Sequence, residues 1–129
     1  MIFIPLHYEE TPELHQLMEW EGIEKDDYMF GSFGLWVVKN DERKIMGLVS
    51  IRNEHKLPSI QYFYLFKEFR NIEVARFMIK SLRALIKDMG FPLMIVNANV
   101  EYMKRVIEYY FKKKPYAKVG NRFYYLVEV

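Results

Sequence analysis

The fold is decided by residues 64–76, which read YLFKEFRNIEVAR. The aromatic and apolar residues up to Phe66 predict the end of a strand over residues 59–66. Apolar side chains then recur at spacings of three and four from Ala75 onward, which predicts a helix over residues 71–89. Residues 67–70 are therefore predicted to form a turn from a strand into the N-terminus of a helix.

The segments on either side predict further strands and helices in one α/β (α+β) unit. A first helix is capped by Thr11, followed by Pro12, and stops near Gly22. The other predicted elements are strands at residues 2–8, 35–39, 45–52, 93–97, 116–119 and 122–129, a helix at 100–110, and a loop or short helix at 24–34. Strand-helix-strand steps in the second half predict a parallel pair inside a mostly antiparallel sheet with helices on both faces.

Composition predicts one globular domain over residues 1–129. Hydrophobic residues make up 51% of the chain and charged residues 28%, which excludes the signature of a disordered protein. The formal charge of +2 is too weak to predict binding to nucleic acid or to a membrane. The N-terminus has no signal-peptide pattern and no apolar run reaches membrane-spanning length, so a cytoplasmic enzyme or binding protein is expected.

No metal site is expected. The chain lacks Cys, which excludes disulfides, zinc-thiolate sites and thiol nucleophiles. The three histidines, His7, His15 and His55, are too scattered in the sequence to suggest a shared metal ion. We expect His7 on its strand and His15 on the first helix to be structural or exposed.

The order and lengths of these elements resemble the GCN5-related N-acetyltransferases (GNATs) over nearly the whole chain. Residues 35–39, LWVVK, and residues 44–49, KIMGLV, are similar to the second and third strands of that family. Residues 64–70 resemble its fourth strand, and residues 96–101, VNANVE, its fifth strand and the Asn-containing turn beyond it. The resemblance implies a sheet of six to seven strands in which the parallel fourth and fifth strands splay apart. The short chain also resembles small bacteriophage-encoded members.

The family's turn into the long helix carries Gln/Arg-x-x-Gly-x-Gly/Ala, whose backbone N–H groups surround the pyrophosphate of acyl-CoA. The resemblance therefore implies cofactor contacts at Arg70, Asn71, Ile72, Glu73, Val74, Ala75 and Arg76. Glu73 replaces the first Gly, and a carboxylate beside a diphosphate would cost about 1 kcal/mol unless it turns outward or pairs with Arg70 or Arg76. The alternative is an acid that only stabilises the first helical turn.

The resemblance also implies where the reacting thioester lies. A backbone N–H of the fourth strand polarises the carbonyl in the family, and here it belongs to Leu65 or Phe66. Asn99 is the expected partner of the pantetheine arm, with Asn97 as the alternative. For both Asn side chains a plain turn-capping role is equally open.

The proton donor and acceptor are harder to assign. The family's usual Tyr falls at Val106, so Tyr109 or Tyr110 serves as the acid only if the alignment slips; the alternative for both is packing. The family's usual fourth-strand Glu falls near Ser59. Glu54 and His55 are the best substitutes as a base, and His55 has the more suitable pKa. The alternative is an exposed loop pair.

Three functions follow as expectations. The first is an N-acetyltransferase that uses acetyl-CoA and an amine acceptor of a small molecule or protein. The second is a GNAT-fold protein without catalysis, such as a phage-type virion or host-interaction protein. The third, nucleic-acid binding on an aromatic platform at residues 62–66, is the least expected. A second copy of the chain is a candidate partner, and a membrane is not.

Overall fold

A computed structural model describes residues 1–25, 28, 34–54 and 56–129, without the side chain of Glu54. The strands are β1 (Ile2–Pro5), β2 (Gly34–Lys39), β3 (Ile45–Glu54), β4 (Leu57–Leu65), β5 (Leu93–Ala98), β6 (Ala117–Val119) and β7 (Arg122–Glu128). The α-helices are α1 (Thr11–Trp20), α2 (Ile72–Asp88) and α3 (Glu101–Phe111). The strands form one seven-stranded sheet in the order β1-β2-β3-β4-β5-β7-β6.

The sheet opens between β4 and β5. These two strands are parallel, as predicted, but they pair only through Ser59 with Ile95 and Ile60 with Val96. On the other side of β4, Ser50 faces Tyr62 while Ile51 faces Ile60, so Gln61 is an extra residue in a β-bulge. A bulge bends its strand and increases the local twist. The two strands therefore part beyond Ile60, and we call this opening the fork.

Two apolar cores lie on opposite faces of the sheet because successive side chains of a strand point to opposite sides. Phe63 and Leu65 of β4 belong to the core beneath α2 and α3. Tyr62, Tyr64 and Phe66 belong to the core beneath α1. The predicted covering of both faces by helices is confirmed, and the fork lies between the two cores.

Gly47 sets how closely β3 approaches the end of β4. A Cβ at this position would stand 2.8 Å from both the Leu65 Cδ2 atom and the Tyr64 carbonyl oxygen. The second contact is with backbone, which cannot rotate away. Glycine at residue 47 therefore allows the close pairing that holds Leu65 in register at the fork.

The structure differs from the predicted elements near the N-terminus. The first strand ends at Pro5, because residues 8–10 form a 3-10 turn closed by a capping box between His7 and Glu10. Helix α1 is then preceded by Glu10, whereas Thr11 was the predicted cap. Glu10 is held by the buried Lys39 ammonium at the end of β2. The prediction for residues 24–34 lies largely outside the described residues.

Candidate functional site

Arg70 connects the end of β4 to the two helices beyond it. Its Nε–H donates to the Leu65 carbonyl oxygen at 2.9 Å. Its guanidinium lies 5.2 Å from the ring centre of Tyr64 and 5.4 Å from that of Tyr102, a cation held between two aromatic faces. The Nη2 atom is buried and has no hydrogen-bond partner among the described residues. Arg70 is therefore fixed in place with one donor nitrogen unused.

The N-terminus of α2 is closed by Asn71 and leaves two backbone donors open. The Asn71 Oδ1 atom accepts the Val74 N–H at 3.0 Å, and the Asn71 carbonyl oxygen accepts the Ala75 N–H at 3.0 Å. The N–H groups of Ile72 and Glu73 are the first two of the helix, where no intrahelical acceptor exists. With the positive end of the helix dipole they form an anion-binding position beside Arg70.

Glu73 has an exposed side chain in the first turn of α2. It has no ion pair with Arg70 or Arg76 among the described residues, although the sequence placed both cations within reach. Asn71, Ile72 and Arg76 are exposed as well, while Val74 and Ala75 are buried beneath the helix. Among the predicted cofactor-contacting residues, the side chains of Val74 and Ala75 therefore contribute packing beneath the turn.

A cleft of about 520 Å³ lies between the first turns of α2 and the outer face of α3. Its lining residues are Ile72, Ala75, Arg76, Tyr102, Arg105, Val106, Tyr109 and Tyr110. This volume lies in the range of small-molecule and cofactor sites. Arg76 and Arg105 give it positive charge, and Tyr102 joins it to the fork by its contact with Arg70. The arrangement suits an elongated ligand with several phosphate groups.

The backbone of β4 decides which donor the fork offers. The Phe66 N–H donates to the Met46 carbonyl oxygen at 3.0 Å. Phe66 therefore cannot be the carbonyl-polarising donor, which corrects one of the two predicted residues. Because hydrogen-bonding direction alternates along an antiparallel pair, the N–H groups of Leu65 and Phe63 point away from β3 into the fork. The Leu65 carbonyl already faces Arg70 on that side.

Two Asn side chains, one on β5 and one just beyond its end, bridge the base of the fork. The buried Asn97 donates from Nδ2 to the Ile60 carbonyl oxygen at 2.8 Å. Asn99 donates from Nδ2 to the Tyr62 hydroxyl at 2.8 Å. Helix α3 has no side-chain cap at its N-terminus. Both predicted Asn residues thus lie at the fork, and the turn-capping alternative is wrong.

At the level of sequence, neither a protein-family model nor a curated protein matches the chain. Solved structures do match it. An acetyltransferase of the GNAT family from Staphylococcus aureus Mu50 aligns with a TM-score of 0.70 at 11% identity, covering 98% of each chain. A GNAT-family acetyltransferase from Listeria monocytogenes aligns with a TM-score of 0.69 at 11% identity, covering 99% of this chain and 94% of that one. The chain has the GNAT fold.

A third match is the spermidine N-acetyltransferase from Vibrio cholerae, solved in complex with CoA and spermine. It aligns with a TM-score of 0.60 at 14% identity, covering 98% of this chain and 92% of that one. The GNAT architecture predicted from residues 64–76 and their flanks is therefore confirmed. At such low identities the likeness concerns the fold, and the site must be argued from the residues of this chain.

Tyr109 and Tyr110 lie far from the fork. They stand near the C-terminal end of α3, about 12 Å along the helix axis from its first residue. Their rings touch edge to face at 5.0 Å, and both line the cleft. Tyr102, in the first turn of α3, is the tyrosine of that helix nearest to the fork. Its hydroxyl donates to the Asn71 carbonyl oxygen at 3.4 Å, and burial raises its pKa.

The predicted base is only partly described. Glu54 is the last residue of β3 and pairs with Leu57 at the start of β4. Its side chain, and the whole of His55, lie outside the described residues. The buried Ser59 Oγ accepts a hydrogen bond from Gln61 Nε2 at 3.0 Å. The assignment of Glu54 or His55 as base stays a prediction.

His15 is paired with Tyr28 over the core beneath α1. It is half-buried, and its Nδ1 atom lies 2.6 Å from the Tyr28 hydroxyl. Burial, with a smaller contribution from Lys25, lowers its pKa, so the ring is neutral at pH 7. Tyr28 in turn meets Tyr62 edge to face at 6.3 Å. A cleft of about 420 Å³ beside this pair is lined also by Glu19.

The aromatic side chains at residues 62, 64 and 66 belong to the core beneath α1. Tyr62, Tyr64 and Phe66 are at most 5% exposed, so they cannot stack on bases and the aromatic platform for nucleic acid is wrong. No group of three potential metal-ligating side chains occurs within the described residues. None of the helices described there is long and apolar enough to cross a membrane.

Proposed function

We propose that the chain is an N-acetyltransferase that moves the acetyl group of acetyl-CoA to an amine. One observation carries this proposal: Arg70 joins the open edge of β4 to the start of α2 and, through Tyr102, to a cleft with two arginines. A GNAT fold with these features offers separate positions for a thioester, a pyrophosphate and a phosphorylated nucleoside.

The pyrophosphate binds at the start of α2 in this proposal. The N–H groups of Ile72 and Glu73 belong to the first turn of α2, where no intrahelical acceptor exists, and Arg70 lies two residues before Ile72 in the chain. Charge-assisted hydrogen bonds from a guanidinium to phosphate oxygens are among the stronger ones in proteins. Arg76 and Arg105 then meet the remaining phosphate in the cleft.

The pantetheine arm follows the fork. The backbone groups of β4 that face β5 beyond Ile60 lack a strand partner and match an amide-containing chain. The Leu65 N–H polarises the thioester carbonyl, with the Phe63 N–H as the next donor along the strand. The acceptor nitrogen attacks the carbonyl carbon, the carbon–sulfur bond breaks, and the departing thiolate takes a proton.

Proton transfer is assigned by position. Tyr102 is the candidate acid for the thiolate, because it lies at the junction of fork and cleft. Tyr109 and Tyr110 are placed at the nucleoside end. His55 or Glu54 removes the proton of the amine, as the sequence predicts. The alternative base within the described residues is the neutral His15, which is paired with Tyr28.

A GNAT-fold binding protein without catalysis is the second candidate. The buried, apolar Val106 occupies the position of the family's usual acid, and the exposed Glu73 places a negative charge beside the phosphate position. Both would be tolerated in a protein that had lost the reaction. The two candidates differ in whether acetyl-CoA binds and whether an amine is acetylated.

Calorimetric titration with acetyl-CoA tests the proposal. We expect saturable 1:1 binding, weakened about tenfold by Arg76→Gln through the lost phosphate contact. Arg83→Gln is the matched control, since Arg83 lies on the same helix, is exposed and contacts Phe111 outside the cleft lining. Absence of binding at millimolar acetyl-CoA would defeat the proposal. Binding without transfer to any of a broad panel of amines would favour the second candidate.

A further inference from the structure

Arg122 is a cation at the base of the fork that the reaction outlined above does not use. It is the first residue of β7, and its Nη1 lies 3.4 Å from both the Gln61 carbonyl oxygen and the Asn97 Oδ1 atom. Its guanidinium stands 5.5 Å from the ring centre of Tyr62. Arg122 therefore touches both strands of the fork and the extra residue of the bulge.

Most of its hydrogen-bonding capacity is unused. A guanidinium carries five N–H donors. Both contacts come from one terminal nitrogen, and 3.4 Å is longer than an ordinary N–H···O bond. Nε and Nη2 have no hydrogen bond within the described part of the chain, and no carboxylate there forms an ion pair with Arg122. The cation is held in place by an aromatic face and neutral oxygens, without a counter-anion.

Arg122 lies on the face of the sheet opposite to the acetyl-CoA cleft. Tyr125 and Val127 of β7 belong to the core beneath α2 and α3. Strand alternation therefore directs Arg122 and Leu126 to the other face, where Tyr62 packs beneath α1. Leu126 on this face of β7 is 45% exposed and Arg122 is half-buried, so α1 does not fully cover this face of β7. An acceptor can reach the fork from this open side.

We propose that Arg122 binds a carboxylate of the acceptor, so that the substrate class is an amine that also carries a carboxylate, such as an amino acid. This inference rests on the proposed acetyl transfer. The planar guanidinium of an arginine can bind a carboxylate through two parallel hydrogen bonds. The Tyr62 ring holds the guanidinium plane of Arg122 in one orientation. The amine of an acceptor bound in this way points into the fork, where the Phe63 N–H is the nearer of the two donors to Arg122.

The test compares amino acids with their own carboxamides as acceptors, at fixed acetyl-CoA. An amide keeps the shape and removes the charge, while making the neighbouring amine less basic and more often unprotonated. A preference for the acid therefore cannot come from amine reactivity. We expect kcat/KM to be about tenfold or more higher for the best acid than for its amide, because the amide cannot form the charge-assisted pair with the guanidinium.

Variants of Arg122 test whether the preference for the acid over the amide depends on this residue. Arg122→Gln should bring the acid-to-amide ratio close to one, mainly through KM, and Arg122→Lys should keep part of it as a point charge. Lys118→Gln is the matched control, since Lys118 lies on the same hairpin over the Phe123 ring. A second readout is the NMR resonance of the Arg122 Nε–Hε group. Its chemical shift should change when N-acetylated amino acids are added with CoA.

The outcomes separate this inference from the proposed function. If acids and amides are acetylated alike, or if Arg122→Gln lowers the melting temperature and leaves the ratio unchanged, the inference is overturned while acetyl transfer stands. It is also overturned if no N-acetylated amino acid shifts the Arg122 resonance. If acetyl-CoA itself does not bind by calorimetry, the proposed function fails, and that result is independent of the carboxylate comparison.

Discussion

The Nε–H of Arg70 donates to the Leu65 carbonyl oxygen at 2.9 Å, which ties the last residue of β4 to the residue before the α2 cap. The same guanidinium lies between the rings of Tyr64 and Tyr102. Two elements from different parts of the chain, β4 and α3, thus meet on one side chain that lies just before α2. The relationship gives Arg70 a structural role that does not depend on any ligand.

Replacing Arg70 should therefore reduce stability as well as cofactor binding. Arg70→Leu is expected to lower the free energy of unfolding by about 1–3 kcal/mol, from the lost hydrogen bond and two ring contacts. Arg70→Lys should recover little, because an ammonium cannot reach the Leu65 oxygen and lie between two rings. Urea denaturation measures the loss. Arg83→Lys, at an exposed cation–ring contact, is the control, and equal effects at both sites would refute the role given to Arg70.

Two variants of Asn71, the cap of α2, should distinguish its effect on stability from its effect on phosphate binding. Asn71→Ala removes the acceptor of the Val74 N–H and should cost about 1 kcal/mol of stability. Asn71→Asp keeps the cap but adds a negative charge beside the proposed pyrophosphate position. We expect its melting temperature to stay near that of the parent while its acetyl-CoA affinity falls. Unchanged affinity in the Asp variant would show that the phosphates bind elsewhere.

Glu73 should affect stability and affinity in opposite directions. An acid in the first turn favours the helix, so Glu73→Gln is expected to cost about 0.5 kcal/mol of stability. The same change removes a like charge from the proposed pyrophosphate position and should strengthen acetyl-CoA binding several-fold. Calorimetry at low and high salt checks this, since screening should shrink the gain. A variant that loses both stability and affinity would contradict the placement.

The elements that the sequence predicted well are those with strong local signals. Helix α2 begins within one residue of its predicted start, because the Asn71 cap and the three-four periodicity both act locally. The hairpins at residues 35–52 and 116–129 follow from polar turns between β-branched runs. The parallel pairing of β4 and β5 followed from the connecting helix, since such crossovers permit little else.

The parts of the site that could not be predicted depend on distant residues. Arg122 and Gln61 are 61 positions apart, and nothing in their neighbourhoods signals that β7 reaches the fork. The choice between Leu65 and Phe66 depends on the hydrogen-bond parity of β4, which the bulge at Gln61 sets. His15 and Tyr28 meet only because α1 packs over the sheet. Periodicity reports which face a residue takes, and not which residue it meets there.

Gly47 is expected to tolerate no side chain. Gly47→Ala places a Cβ 2.8 Å from both Leu65 Cδ2 and the Tyr64 carbonyl oxygen, so β3 must move away from β4. Overpacking of this kind costs about 1–3 kcal/mol. The double variant with Leu65→Ala removes the side-chain contact and keeps the backbone one, so it should not regain the stability lost to Gly47→Ala. Full recovery in a double-mutant cycle would mean that the side chain alone is the obstacle.

His15 should make stability depend on pH near neutrality. Burial lowers its pKa from the ordinary 6.5, so the unfolded chain binds a proton more readily than the folded one. The stability is therefore fully present above pH 6.5 and is lost as the pH falls below that value and through the lowered pKa. Between about pH 7.5 and pH 5.5, where carboxylates remain ionised, the free energy of unfolding should fall. His15→Gln should flatten this slope, whereas Tyr28→Phe, which preserves the burial, should keep it. A parent protein with no slope in this range would show that the His15 ring titrates freely in the folded state.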